Sequence, residues 1–246
     1  MSQATGEKKL LVDVCLSPLL YPAYHRPDAI VVVIDIFRAT SAICTAFQYG
    51  VAEMIPVASL TEAQSYKDRG FMVGAERDGS ALEGFDFGNS PYSYMSDNIR
   101  GKTIVITTTN GTQAIAAAKQ ARQIVIGSFL NITALCNWLI QEQKEVILLC
   151  SGWKNRFSME DSLFAGAVSE RLSTASSLFN LGDASLAAKY IFESAQHNPY
   201  RLLHGSSHKE RLAALGLKED IKYCLSLDKT DVIPVLRGDV LVKLAF

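Results

Sequence analysis

The sequence predicts an α/β protein, layered α/β/α around a mostly parallel sheet, with a helical segment in the C-terminal third and a short terminal strand pair. Three observations predict it. Strand-like apolar runs alternate with helix-period stretches through Cys150. The run Val31-Val32-Val33-Ile34 is wholly β-branched, the pattern of a strand buried on both faces in mid-sheet. Beyond Ser158 the chain is mainly helical until two short β-branched runs close it.

Taken in order, residues 10–15 read as a first strand, followed by a loop marked by Ser17-Pro18 and Tyr21-Pro22. The Val31 strand runs straight into a helix of small residues that ends near Tyr49, with Gly50 as its C-cap. A strand over 53–58, a helix over 60–69 stopped by Gly70 and a strand over 71–75 follow. From Glu76 to Pro91 periodicity ceases in a stretch rich in Gly and charge, and a long irregular connection of this kind is often functional. The pattern then gives a strand over 103–107, an Ala-rich helix over 110–121, a strand over 124–126, a helix over 132–143 and a strand over 145–150. An amphipathic helix is expected over 158–172, further helices over 184–195 and 209–225, and a hairpin of 232–236 with 240–244 around Arg237-Gly238-Asp239. No linker-like composition divides the 246 residues, which are expected to form one catalytic unit, or two closely packed lobes with a boundary near 127–131.

Bulk properties exclude several functions. The net charge is −1 with pI near 6.4, so no global basic field draws nucleic acid or an anionic membrane. Any anion site must be local. Residues 1–9 are polar, and no apolar stretch approaches about 18 residues. Five cysteines without CxxC spacing fit reduced core residues, and a cytoplasmic location is the expectation. The apolar fraction of 48% is ample for a homodimer interface as well as a core. No Walker loop, GxGxxG or Gly-x-Ser-x-Gly elbow occurs. His204 and His208 share helical spacing but straddle Gly205-Ser206-Ser207 without an acidic third ligand, so no zinc site is expected.

The candidate chemistry sits at strand ends. Asp35 closes an apolar strand, where a carboxylate suits a Mg²⁺ ligand or a phosphoryl nucleophile, or simply a helix cap. Arg38 offers an anion-binding fork, and Thr40 and Ser41 offer hydroxyls in the first helical turn. A second junction, Thr108-Thr109-Asn110-Gly111-Thr112, has the same form, with Gly111 permitting close backbone approach. Glu76, Arg77, Asp86, Asn89 and Ser90 in the long loop can close over a ligand, or the loop is held by turn chemistry alone. Glu160 and Asp161 either supply paired carboxylates for a hard cation or answer the helix dipole. An aspartyl-phosphate mechanism of the haloacid-dehalogenase type would want a second Asp at position 37, where Phe37 stands.

Asp35-Ile36-Phe37-Arg38-Ala39-Thr40-Ser41, Gly74-Ala75-Glu76-Arg77, Gly84-Phe85-Asp86-Phe87-Gly88-Asn89-Ser90-Pro91, Thr107-Thr108-Thr109-Asn110-Gly111-Thr112 and Glu160-Asp161 together resemble the 2-phosphosulfolactate phosphatase family. Leu215-Gly216, Asp220-Ile221 and Val232-Ile233-Pro234 extend the resemblance to the C-terminal part. It implies a Mg²⁺-dependent phosphatase that converts 2-phospho-3-sulfolactate to sulfolactate and phosphate, a step on a route to coenzyme M. On that reading Asp35, Arg38, Glu160 and Asp161 are the catalytic group, and Mg²⁺ is held by Asp35, Glu160 and Asp161. Thr40, Ser41, Glu76, Arg77, Asn89, Ser90, Asn110, Gly111 and Thr112 are the substrate-binding candidates. The partner is then a small anionic substrate, either this one or a related phosphorylated acid. A non-catalytic module that binds an anionic metabolite is the rival reading.

Overall fold

A computed structural model describes residues 9–77, 79–195 and 198–245. The polar segment before Lys9 and residue Asp78 of the long loop lie outside the described residues.

In chain order the elements are β1 (Leu10–Cys15), α1 (Tyr21–Tyr24), β2 (Ile30–Ile34), α2 (Ala39–Gln48), β3 (Glu53–Pro56), α3 (Leu60–Asp68), β4 (Met72–Arg77) and β5 (Ser80–Ala81). Then come β6 (Thr103–Thr107), α4 (Gly111–Ala117), β7 (Gln123–Gly127), α5 (Ile132–Glu142), β8 (Val146–Cys150) and α6 (Met159–Ala175). The last third holds β9 (Phe179–Leu181), α7 (Asp183–Ala195), α8 (Pro199–Leu202), α9 (Ser207–Ala214), α10 (Lys218–Cys224), β10 (Pro234–Arg237) and β11 (Val240–Lys243).

The strands form an 11-stranded sheet in the order β5-β4-β6-β3-β11-β10-β7-β2-β8-β1-β9. Two parallel groups, β4-β6-β3 and β7-β2-β8-β1-β9, are joined by the antiparallel hairpin of the last two strands. Because that hairpin pairs antiparallel to β7 on one side and to β3 on the other, the two groups run in opposite senses. Sheet twist of roughly 20–25° per strand, summed over the steps from β6 to β2, swings their ends toward each other.

Side-chain alternation then sorts the core. Ile30, Val32 and Ile34 of β2 join Val12, Val14, Val146 and Leu148 on one face, covered by α5, α6 and α7. Val31 and Val33 join Ile124, Ile126, Ile147 and Leu149 on the other, around α2 and α4. Both faces of β2 are fully buried, as its unbroken β-branched run requires. Gly166 in α6 lets α7 come close, since a Cβ there would collide with the carbonyl of Ala188. Layered α/β/α is therefore the architecture observed.

Several local expectations shift. Residues 160–169 of α6 are buried all round, so this helix is a core helix and not an amphipathic one. The stretch after Ala75 is less irregular than its composition suggests: Glu76 and Arg77 belong to β4 and pair with Ala81 and Ser80 in a tight hairpin. The Ala-rich helix stops at Ala117, and the helical region expected over 209–225 is two helices, broken at Gly216 with φ of 79°. No helix among the described residues is long and apolar enough to cross a membrane.

Candidate active site

The turn between β2 and α2 is closed by its own side chains. The Thr40 hydroxyl donates to the Asp35 carbonyl at 2.9 Å and accepts from the Asp35 N–H at 3.2 Å, while Ser41 Oγ donates to the Ile36 carbonyl at 3.0 Å. The peptide bond between Phe37 and Arg38 is cis. Contrary to the reading of Thr40 and Ser41 as ligand donors, both are fully buried and their hydroxyls build the turn. At the second junction, Thr112 Oγ1 donates to the Thr108 carbonyl at 3.1 Å and Thr112 N–H donates to Thr108 Oγ1 at 3.1 Å, so Thr112 too is internal. What this junction delivers is Gly111, where a Cβ would lie 2.6 Å from Ala39 Cβ and 3.0 Å from Asp35 Oδ2. The two strand-end turns thus touch through a bare Cα.

They wall a small pocket. Into it face the carboxyls of Asp35 and Glu76, the amides of Asn89 and Asn110, the guanidinium groups of Arg38 and Arg211, and the rings of Phe37, Trp153 and His208. Asn110 is placed by its Oδ1, which accepts from the Lys154 N–H at 3.2 Å. Glu76 is buried; one carboxyl oxygen accepts the Gly79 N–H, and the other accepts from Thr109 Oγ1 at 3.5 Å.

Burial pushes the Asp35 carboxyl up to about 6; the nearby His208 opposes this and Glu76 adds to it. Asp161 is raised well above the ordinary range by burial and by the neighbouring charges of Glu160 and Asp35. Its oxygens are committed to backbone: Oδ1 accepts from the Ile36 N–H at 2.9 Å, and Oδ2 from the Gly152 N–H at 3.1 Å. Glu160, almost fully buried, is hydrogen-bonded through Oε1 to His208 Nδ1 at 2.6 Å. The three carboxyls read as a metal set are near enough to feel one another's charge, but the oxygens of Asp161 are taken by N–H groups and Glu160 is taken by His208; no cluster of three or more metal-binding side chains occurs among the described residues. Consecutive helical residues point about 100° apart, so Glu160 and Asp161 are sent to different partners.

Other candidates are placed as follows. Arg38 lines the pocket but is gripped from behind, with Nη1 2.6 Å from Asp220 Oδ2 and Nη2 donating to the Gly79 carbonyl at 2.6 Å. Arg77 lies on the β4 strand, donating to the Glu76 carbonyl at 2.6 Å and to Thr107 Oγ1 at 3.3 Å, and does not line the pocket. Asp86 secures the loop through the Val73 N–H and Lys67 Nζ. Ser90 precedes the short 3-10 turn Pro91–Tyr94 and is likewise outside the pocket lining.

Four further residues matter that the sequence did not mark as site residues, His208 having been weighed only as a zinc ligand and set aside. Trp153 follows the end of β8, and its ring carries the Arg211 guanidinium at 3.5 Å and the His208 imidazole at 5.4 Å. His208 and Arg211 share a face of α9 at i, i+3 spacing, and Asp220 from α10 holds Arg38. No local pattern marks them: Asp220, beside Glu219 in the first turn of α10, reads as an ordinary answer to the helix dipole.

The family model described as 2-phosphosulpholactate phosphatase matches residues 15–239. A protein from Thermotoga petrophila called "Probable 2-phosphosulfolactate phosphatase" is 39% identical over 236 residues, covering 96% of this chain and all of the relative. A protein of the same description from Thermotoga maritima gives the same 39% over 236 residues, again 96% of this chain and 100% of the relative. A third, from Caldanaerobacter subterraneus, is 37% identical over 214 residues, 85% of this chain and 88% of its own length. With the family model spanning nearly the whole chain and relatives matched end to end, this protein belongs to the 2-phosphosulpholactate phosphatase family.

Proposed function

We propose that this chain is a Mg²⁺-dependent phosphomonoesterase that hydrolyses 2-phospho-3-sulfolactate to 3-sulfolactate and inorganic phosphate, acting in the cytoplasm on a route to coenzyme M. Family membership supports the phosphatase class. One observation carries the chemistry: Asp35 and Glu76, buried acids at the ends of two strands from opposite halves of the sheet, face one pocket whose wall also bears Arg38 and Arg211.

The donor set fits a hard cation. Two carboxyls and two side-chain amides offer oxygen ligands, and Mg²⁺ commonly takes only one or two protein carboxylates beside water and phosphate oxygens. Asp35 and Glu76 would hold the ion, in place of the pairing of Asp35 with Glu160 and Asp161. Bound there, Mg²⁺ supplies positive charge against the phosphoryl oxygens.

The chain's own groups do the rest. Asn89 and Asn110 orient the phosphoryl group through their amides, and Phe37 and Trp153 keep bulk water from the ester. Arg38, fixed by Asp220 and the Gly79 carbonyl, presents preorganised positive charge to an anionic substrate. The test is phosphate release from racemic phosphosulfolactate, with EDTA and with Mg²⁺ restored. Release that stops on chelation and returns with the metal is expected; an unchanged rate in EDTA overturns the metal role, and no release overturns the substrate.

A further inference from the structure

His208 belongs to no motif in the sequence, yet its surroundings are those of a working imidazole. Its Nδ1 lies 2.6 Å from Glu160 Oε1, and the two side chains are only 12% and 2% exposed. An ionised carboxyl can only accept, so Nδ1 carries the hydrogen and the ring's other nitrogen, Nε2, is at the opposite edge. Phe37 meets the ring edge-on at 6.0 Å and Trp153 lies at 5.4 Å, which fix its plane. The same ring lines the pocket that holds Asp35 and Glu76.

This arrangement differs from a structural ion pair in one respect. A buried carboxyl that orients an imidazole at the wall of a reaction pocket is the way proteins fix a tautomer for proton transfer. Glu160 sits in the first turn of α6, buried, and is not among the residues that line the pocket of Asp35 and Glu76. His208 arrives from α9, far along the chain, and bridges the two. The alcohol of an alkyl phosphate monoester leaves as a strongly basic alkoxide, so the step demands a proton at the departing oxygen, and the guanidinium groups of Arg38 and Arg211 in the same pocket do not give theirs up.

We propose that His208 is the proton donor to the leaving oxygen and that Glu160 is its positioning residue. The inference rests on the phosphatase reading above. In the step, the attacking water oxygen forms a bond to phosphorus while the phosphorus bond to the ester oxygen breaks. The departing oxygen takes the Nε2 proton of the imidazolium, leaving the neutral Nδ1–H tautomer bound to Glu160. The proton that the attacking water loses passes to solvent and the ring takes one back from solvent, so each turnover consumes one water and no net proton. No oxidant, reductant or further reactant enters.

The test uses the full chain and the variants His208→Asn and Glu160→Gln. Asparagine places an amide N–H where Nδ1 was, so it can keep the bond to Glu160, but it lacks the ring and has no proton to give. If His208 is the donor, kcat of H208N for phosphosulfolactate falls about 100-fold or more with KM little changed, as loss of a general acid requires. E160Q should lose about 10-fold, and ¹⁵N NMR of labelled histidine, recorded at alkaline pH where the ring is neutral, should report the Nδ1–H tautomer in wild type and a shift away from it in E160Q. Circular dichroism melting confirms that each variant is folded. A folded H208N within threefold of the wild-type kcat, or an Nε2–H tautomer in wild type, overturns the proposal and leaves the phosphatase reading standing. A wild type that releases phosphate from no phosphorylated acid overturns both.

Discussion

Gly111 rests directly on Asp35: a Cβ at position 111 would stand 3.0 Å from Asp35 Oδ2 and 2.6 Å from Ala39 Cβ. The contact unites the turn after β2 with the turn after β6, strands that belong to opposite parallel groups. Gly111→Ala must therefore push α4 away from α2, because neither Ala39 Cβ nor the Asp35 carboxyl is the end of a flexible chain. The expected result is a loss of about 1–3 kcal/mol in urea unfolding, together with a fall in kcat larger than that of an alanine-to-glycine change elsewhere in α4. Unchanged turnover in a folded G111A would remove the claim that this approach shapes the pocket.

Asp35→Asn should stabilise the metal-free protein while abolishing turnover. The Asp35 carboxyl is held at about 6 by burial, against an ordinary value of 3.8, and is 5% exposed. A raised folded-state value means that its contribution is fully present below the unfolded value and is lost as pH climbs through about 6. Asparagine carries no such loss. In EDTA, thermal unfolding near pH ~7.5 should favour D35N by about 3 kcal/mol or less, and the advantage should vanish near pH ~4. Equal stability at both pH values would contradict the burial argument.

The Arg38 and Asp220 pair is 3% and 8% exposed, with 2.6 Å between its atoms. Removing one partner strands a buried charge, so Asp220→Ala should cost about 3–5 kcal/mol by denaturant titration. The double change Arg38→Met with Asp220→Leu should recover most of that stability, since well-packed apolar pairs often replace buried ion pairs without loss. Activity should not return with it, because the positive charge at the pocket wall is gone.

Truncation before Pro234 should prevent folding. The hairpin β10 and β11 lies between β7 and β3, and its removal leaves two unpaired strand edges in the middle of the sheet. Soluble, monodisperse protein by size-exclusion chromatography is expected to disappear, although the deleted segment lines no part of the pocket. Recovery of a well-folded truncated chain would show that the two strand groups stand without their bridge.

The sequence by itself determined the order and type of the elements, because alternation of two and turns of 3.6 are local properties that each segment carries alone. The Val31 run announced a strand buried on both sides, Gly50 and Gly70 marked helix ends, and the composition around Arg237-Gly238-Asp239 announced a hairpin. It also drew attention to Asp35, Glu76, Asn89 and Asn110, which the fold brings to one pocket. Only the tertiary structure decided which ends meet. That the closing hairpin is inserted between β3 and β7, that Asp161 turns to the Ile36 and Gly152 amides, and that His208 crosses the chain to reach Glu160 all depend on contacts between residues far apart in sequence. The same limit explains Thr40 and Ser41: a hydroxyl in a first helical turn satisfies a ligand or its own backbone equally well, and burial within the turn chose the backbone.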